Sequence, residues 1–196
     1  IDIDAMTRLW DEELAPLMRT APFPEQPDGK HRYHFCNPAY SFGDALILRA
    51  MILNHRPKRI VEVGSGWSSA CTLDTVFDEA KLDTEITFIE PYPKVLRAIM
   101  RKSDTSRVNI IESIVQDVPL SFFDQLEAND ILFIDSTHVV KTGSDVVHEL
   151  TQILPRLKPG VLIHFHDIFY PFEYGHKWVI EENRSWNEIY ALRSFL

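Results

Sequence analysis

Arg59-Ile60-Val61-Glu62-Val63-Gly64-Ser65-Gly66-Trp67-Ser68-Ser69 is the stretch on which the fold of this chain turns. A β-branched run stops at a pair of glycines, and a helical pattern over residues 68–80 follows directly. Strand, tight turn and helix in that order make the first half of a βαβ unit. The helix carries the chain back, so the next strand lies parallel to the first.

The alternation continues towards the C-terminus. Residues 85–90 read as a second strand, 94–101 as a helix with Val95, Leu96 and Ile99 on one face, and 108–111 as a third strand. A short helix is expected over 120–126 and a fourth strand over 130–135. Residues 144–157 read as a helix with Val147, Leu150, Ile153, Leu154 and Leu157 inward. Pro159-Gly160 turns into a fifth strand, 161–165, and 185–196 close as a helix. Several strands are apolar without alternation, as when both faces of a sheet are covered. On the N-terminal side, 41–55 is apolar nearly all round, a buried helix ended by Pro57. Pro22, Pro24, Pro27 and Gly29 mark a loop before it, and Met6, Leu9, Trp10, Leu14 and Leu17 recur at helical spacing. The expected fold class is α/β, a doubly wound, mainly parallel sheet. Residues 1–40 are expected to form an N-terminal helix with a Pro-rich linker or lid, and 41–196 the main domain.

Composition narrows the function. The 196 residues suit one domain with a full core, and 45% hydrophobic with 25% charged residues is ordinary for a globular protein. The net charge of −9 and the lack of a basic stripe argue against a nucleic-acid or anionic-membrane partner. No apolar run reaches the roughly 20 residues that span a bilayer, and no signal peptide is evident. Cys36 and Cys71 are too few for a disulfide framework and are expected as buried free thiols in a reducing, cytoplasmic compartment. The chain starts at Ile1 and stops at Leu196, which reads as a piece of a longer protein.

Parallel α/β sheets bind ligands beyond the carboxyl ends of the strands, near the reversal of strand order beside the first strand. There Gly64 permits a tight turn and Gly66 lets the backbone approach a ligand. The following helix offers free N–H groups to a carboxylate or phosphate. Alone, the glycine pair is also compatible with a plain structural turn. Glu90, at the end of the second strand, can accept a hydrogen bond from each of two ribose hydroxyls; the alternative is a solvated acid before Pro91. Ser69 stands where a dinucleotide fingerprint has its third glycine, which weakens an NAD reading. Glu62 is costly to bury without a partner, and a cationic ligand group would supply one.

Glu62-Val63-Gly64-Ser65-Gly66 resembles the first motif of class I S-adenosylmethionine-dependent methyltransferases, and Glu90 matches their ribose acid. Residues 37–44, Ile134-Asp135-Ser136-Thr137-His138 and His164-Phe165-His166-Asp167 resemble a bacterial small-molecule subfamily. The resemblance spans about residues 37–186. It implies a Rossmann-like sheet, here without the C-terminal β-hairpin strands, and methyl transfer from S-adenosylmethionine. It places Glu62 and the backbone of Gly64, Ser65 and Gly66 at the methionine part, Ser69 at its carboxylate, and Glu90 at the ribose. Asp117, beside Gln116, falls at the adenine or, alternatively, caps a helix before Pro119. Tyr40 and Ser41 would close over the cofactor.

The resemblance extends to metal-assisted O-methyltransferases. Asp135 ends the fourth strand, His166 and Asp167 end the fifth, and strands about 4.8 Å apart let these groups converge. A divalent metal ion on Asp135, His166 and Asp167 is thereby implied, with His138 as general base beside Asp135. An imidazole with its ordinary pKa near 6.5 suits that task. His166 replaces an acid of those relatives, which moves metal preference from magnesium towards manganese, iron or zinc. Without a metal, His166 reads as a hydrogen-bonded core histidine and Asp135 as a ligand contact. The aromatic stretch 168–178 reads as an acceptor pocket, a lid or a packed loop, and Thr142 and Ser144 as helix caps. His31, His34 and His148 lack partners at metal spacing.

The leading reading is an S-adenosylmethionine-dependent methyltransferase acting on a small-molecule substrate, at a hydroxyl. Nitrogen or carbon as acceptor, and a homo-oligomer, stay open. One alternative is an NAD-binding oxidoreductase or epimerase, which wants a third glycine and a Tyr-x-x-x-Lys pair. The other is a non-catalytic nucleoside-cofactor-binding module.

Overall fold

The computed structural model describes residues 2–196. Five strands, β1 (Arg59–Val63), β2 (Glu85–Ile89), β3 (Val108–Ile111), β4 (Ile131–Ile134) and β5 (Leu162–Phe165), form one sheet in the order β3-β2-β1-β4-β5. Each lies within a residue of its expected ends. β4 and β5 pair in parallel, from Ile131 against Leu162 to Ile134 against Phe165. Strand order reverses between β1 and β4. There the Asp135 N–H donates to the Val63 carbonyl at 2.9 Å, while on the other side of β1 the Gly64 N–H donates to the Ile89 carbonyl of β2 at 3.0 Å.

A helical run, α1, passes through Ile3–Arg8, Leu9–Leu14 and Ala15–Met18. α2 is Phe42–His55; α3 is Trp67–Leu73, continued by Asp74–Glu79; α4 is Lys94–Ile99. α5 starts as Asp145–His148 and continues through Glu149–Ile153 and Leu154–Arg156, and α6 is Glu188–Phe195. Arg56, at φ 46°, ends α2 one residue before Pro57. Ser144 caps α5 as expected, its Oγ accepting from the Val147 N–H at 3.3 Å. Lys177–Glu181, which begins within the last two residues of the expected loop 168–178, is a helical turn.

The chain forms two compact units. One holds the residues up to Ile60, Ser65–Ile86 and Pro93–Asn109. In it α2 packs on α3, burying Ala45, Leu48, Ile52, Ala70, Leu73 and Val76. Arg32 is buried between Asp74 and Asp104, 2.6 Å from each. Such a charge is tolerated inside because its guanidinium is fully paired. Phe23, Tyr33 and Phe35 meet edge to face beside it, so the segment before α2 is pinned by packing. Both cysteines are free; Cys71 is buried but Cys36 is exposed, which corrects the expectation of two buried thiols.

The other unit holds Val61–Gly64, Thr87–Tyr92 and Ile110–Leu196. Its core joins Val61, Val63, Ile89, Leu132 and Ile134 of the sheet to Val146, Leu150 and Ile153 of α5 and Leu192 of α6. No helix among the described residues is long and apolar enough to cross a membrane.

Candidate active site

The second unit carries a cavity of about 510 Å³ at the tips of β1, β2 and β4, within the size range of small-molecule sites. Gly64 is in its wall at φ +89°, and a Cβ there would lie 2.0 Å from the Asp135 carbonyl oxygen. Only glycine fits both the dihedral and the space. Glu90 lines the cavity half-buried, one oxygen accepting from the Tyr92 N–H at 2.8 Å. Tyr92 and Ile114 line it as well while 80% and 46% exposed, so apolar surface is left uncovered there. Asp117, expected at the adenine, is exposed and is not part of this wall; Gln116 is. The Gln116 amide donates to the Gly143 carbonyl at 3.0 Å, while its Oε1 is buried with no hydrogen-bond partner among the described residues. The sequence alone favoured the charged neighbour over the amide that faces the space.

The remaining expected cofactor residues are placed as follows. Glu62 is buried within β1. In the first unit, Ser69 is buried and its Oγ accepts from the Gly66 N–H at 3.1 Å, so this hydroxyl closes the head of α3. No described atom lies within 4 Å of where a Gly66 Cβ would stand, so protein packing gives no reason for glycine there. Ser65 Oγ is buried without a hydrogen-bond partner among the described residues. Tyr40 is buried, and its carbonyl accepts from the Tyr33 hydroxyl at 2.8 Å and from the Asn37 amide.

Asp135 also belongs to a second group in its unit. Its Oδ1 lies 3.2 Å from His166 Nδ1 and 3.4 Å from His138 Nε2. Asp167 Oδ2 lies 3.6 and 3.8 Å from the same two nitrogens. The convergence expected of β4 and β5 is thus present. His138 and Asp167 both adopt left-handed backbone, φ +59° and +56°, a strained choice for side chains of this kind and one that concentrates at functional sites.

Three residues of this group were not anticipated. Glu188, at the head of α6, is fully buried and its Oε2 sits 2.8 Å from His138 Nδ1. Trp186 lays its indole against the His138 ring at a centroid distance of 4.3 Å. Glu149 is fully buried in α5 and accepts from Ser136 Oγ at 3.1 Å. The signal for both acids was positional: Glu149 falls in line with Val146 and Ile153, and Glu188 with Leu192, the buried faces of their helices.

Electrostatics distinguish the members. Burial would push Asp135 up, but hydrogen bonds from His138 and His166 hold it well below the usual carboxylate range. Burial would push His138 down, yet hydrogen bonds to Asp135 and Glu188 raise it to about 9. The imidazole therefore carries its proton at neutral pH, unlike the ordinary histidine expected from the sequence. Burial pushes Glu149 up to about 8, with Asp145 and Glu188 adding repulsion.

Ligand atoms of Asp135, His138 and His166 lie within 4.8 Å of one another, close enough to hold one metal ion. One oxygen and two imidazole nitrogens suit manganese, iron or zinc better than magnesium.

A family profile described as a methyltransferase domain matches residues 61–168, more than half of the chain. An uncharacterized protein of Archaeoglobus fulgidus is 39% identical over 113 residues, 56% of this chain and 50% of that one. The chain thus spans half the length of that curated relative. The SAH-bound methyltransferase PaMTH1 of Podospora anserina is similar in structure, with a TM-score of 0.50 at 19% identity over 99% of this chain and 83% of its own. At that identity the likeness concerns the fold, a Rossmann-like α/β sheet.

Proposed function

The chain belongs to the methyltransferase-domain family, and on that premise we propose that it transfers a methyl group from S-adenosylmethionine to a hydroxyl of a small molecule. The observation that carries this reading is the cavity at the tips of β1, β2 and β4, with Glu90 and Gln116 on its wall. Glu90 offers a carboxylate to ribose hydroxyls. The buried Oε1 of Gln116 suits an exocyclic amine, whose N–H would satisfy it. Tyr92 and Ile114 give a purine apolar surface, and Gly64 keeps the wall free of side chain.

When bound, S-adenosylmethionine supplies a methyl group already activated on a sulfonium. The chain's own task is then alignment and removal of the hydroxyl proton. His138 is the proposed base, and Asp135, shared by the cavity and the histidine group, sets its place. Of the three groups close enough to share an ion, Asp135 and His166 would hold it, with Asp167 in place of His138, whose nitrogen is then left for the base role; the ion would supply charge to orient an acceptor oxygen. An imidazole accepts a proton only when neutral, so with its pKa raised to about 9 His138 would act as base towards the alkaline side of neutrality. The aromatic stretch 168–178 presents the acceptor surface, with Phe169 and Trp178 in edge contact at 5.3 Å.

Titration of the protein with S-adenosylmethionine, S-adenosylhomocysteine and NAD, followed by calorimetry and melting temperature, tests this. The first two are expected to stabilise the fold and NAD not to. Stabilisation by NAD alone would overturn the reading in favour of an oxidoreductase.

A further inference from the structure

We propose that the head of α6 is a positioning device for His138, in which Glu188, Asn187 and Trp186 together set the direction of Nε2, the ring nitrogen that faces Asp135. Both the backbone and the ring of His138 are held from this one segment. The His138 carbonyl accepts from the Asn187 N–H at 3.0 Å and the Glu188 N–H at 3.2 Å. The Asn187 side chain reaches two residues further, accepting from the Val140 N–H and donating to the Val140 carbonyl at 3.2 Å. These contacts fix the loop after β4 at the left-handed turn of His138 and two residues beyond it. Trp186 packs against the ring in a tilted contact, 46° between planes. Glu188 takes Nδ1 at 2.8 Å, leaving Nε2 directed at Asp135, 3.4 Å away, and Asp167, 3.8 Å away.

An imidazole works as a base through one nitrogen, and the group on the other decides which nitrogen that is and where it points. The Glu188 side chain is 1% exposed, so it acts through His138 and meets neither solvent nor acceptor. Removing an ion partner from the interior leaves an unpaired charge, so a purely structural Glu188 would show itself as lost stability alone. A positioning Glu188 would also change the ring. The inference deepens the reading of His138 as the base, yet its geometric part can be judged without turnover.

The test labels the full chain with ¹⁵N-histidine and follows the His138 ring by NMR in the native protein, Glu188→Gln and Glu188→Met. A slowly exchanging Nδ1 proton is expected in the native protein and in Glu188→Gln, which keeps an acceptor oxygen. Its loss is expected in Glu188→Met. Methyl transfer from labelled S-adenosylmethionine, to whichever acceptor a screen of small hydroxyl compounds yields, should fall about 10–100-fold in Glu188→Met, with the donor's KM unchanged and Glu188→Gln largely active. Persistence of the Nδ1 proton in Glu188→Met overturns the inference. So does a loss of rate that only tracks melting temperature and donor binding. Should Glu188→Met not fold, Glu188→Asp draws the carboxylate back by a methylene and should weaken the same signal; an unaltered signal overturns the inference. Unchanged turnover in His138→Ala would instead overturn the base reading and leave the ring-proton result standing.

Discussion

A Cβ on Gly64 would stand 2.0 Å from the carbonyl oxygen of Asp135, so the tips of β1 and β4 meet backbone to backbone at the mouth of the cavity. Gly64→Ala is expected to cost about 1–3 kcal/mol from the dihedral alone, and more from the overlap, because carbonyl and strand must part. Urea or thermal unfolding reads this directly. A variant with native stability would show that the two tips are not packed as described.

Glu90 and Gln116 make a paired prediction about donor binding. Hydrogen bonds to a charged group contribute about 1.5–3 kcal/mol, so Glu90→Ala should weaken S-adenosylhomocysteine binding at least about tenfold. Gln116→Ala should weaken it less, and Asp117→Ala hardly at all, since Asp117 is exposed outside the cavity wall. Calorimetry that ranks Asp117 above Gln116 would contradict the placement of the adenine.

These residues show what the sequence could reveal. The glycine turn, Glu90 and the Asp135–His138–His166–Asp167 group were legible because strand ends and short spacings fix where such side chains emerge. Gln116 against Asp117 was not, since the Val115–Asp117 turn decides which of two neighbours faces the cavity, and no periodicity governs a single turn. Glu188 lies 50 residues from His138 in the chain, a separation no local pattern reports. His138 is raised by Asp135, three residues before it, and by this distant Glu188; the spacing shows neither the hydrogen bonds nor the second acid, so a reading of local motifs returned an ordinary imidazole.

His138→Ala is expected to lower methyl transfer by about 10²–10⁴-fold while leaving donor binding intact. The imidazole touches Asp135 but is not itself part of the cavity wall, which is why the two effects should separate. Rates measured on an acceptor found by screening check the first part, and calorimetry the second. Equal loss of both would mean that the ring supports the fold instead.

The imidazole of His166 beside Asp135 makes a metal prediction. Manganese or zinc is expected to raise the melting temperature more than magnesium, and His166→Ala to remove most of that difference. His166 is buried beside Asp135, so its loss takes away a ligand without exposing the cavity wall. Equal shifts from all three ions, or none, would leave the group as a hydrogen-bonded network.

Glu149 predicts a pH dependence of stability. Its carboxyl is raised from an ordinary 4.5 to about 8, chiefly by burial. Between those values the unfolded chain has released a proton that the folded chain keeps, so folding binds more protons and loses stability as pH rises. The contribution is fully present below about pH 4.5 and is lost as pH rises through about 8, a few kcal/mol in all. Glu149→Gln keeps an oxygen for the Ser136 hydroxyl but has no proton to lose. Its unfolding free energy should therefore decline less between pH 5 and 8 than that of the native protein. Some decline should remain above pH 7, because His138, raised from 6.5 to about 9, adds stability that is present below 6.5 and lost through 9. Denaturant titrations at several pH values measure both slopes. Parallel curves for the native protein and Glu149→Gln would mean that the carboxyl is already ionised inside the fold.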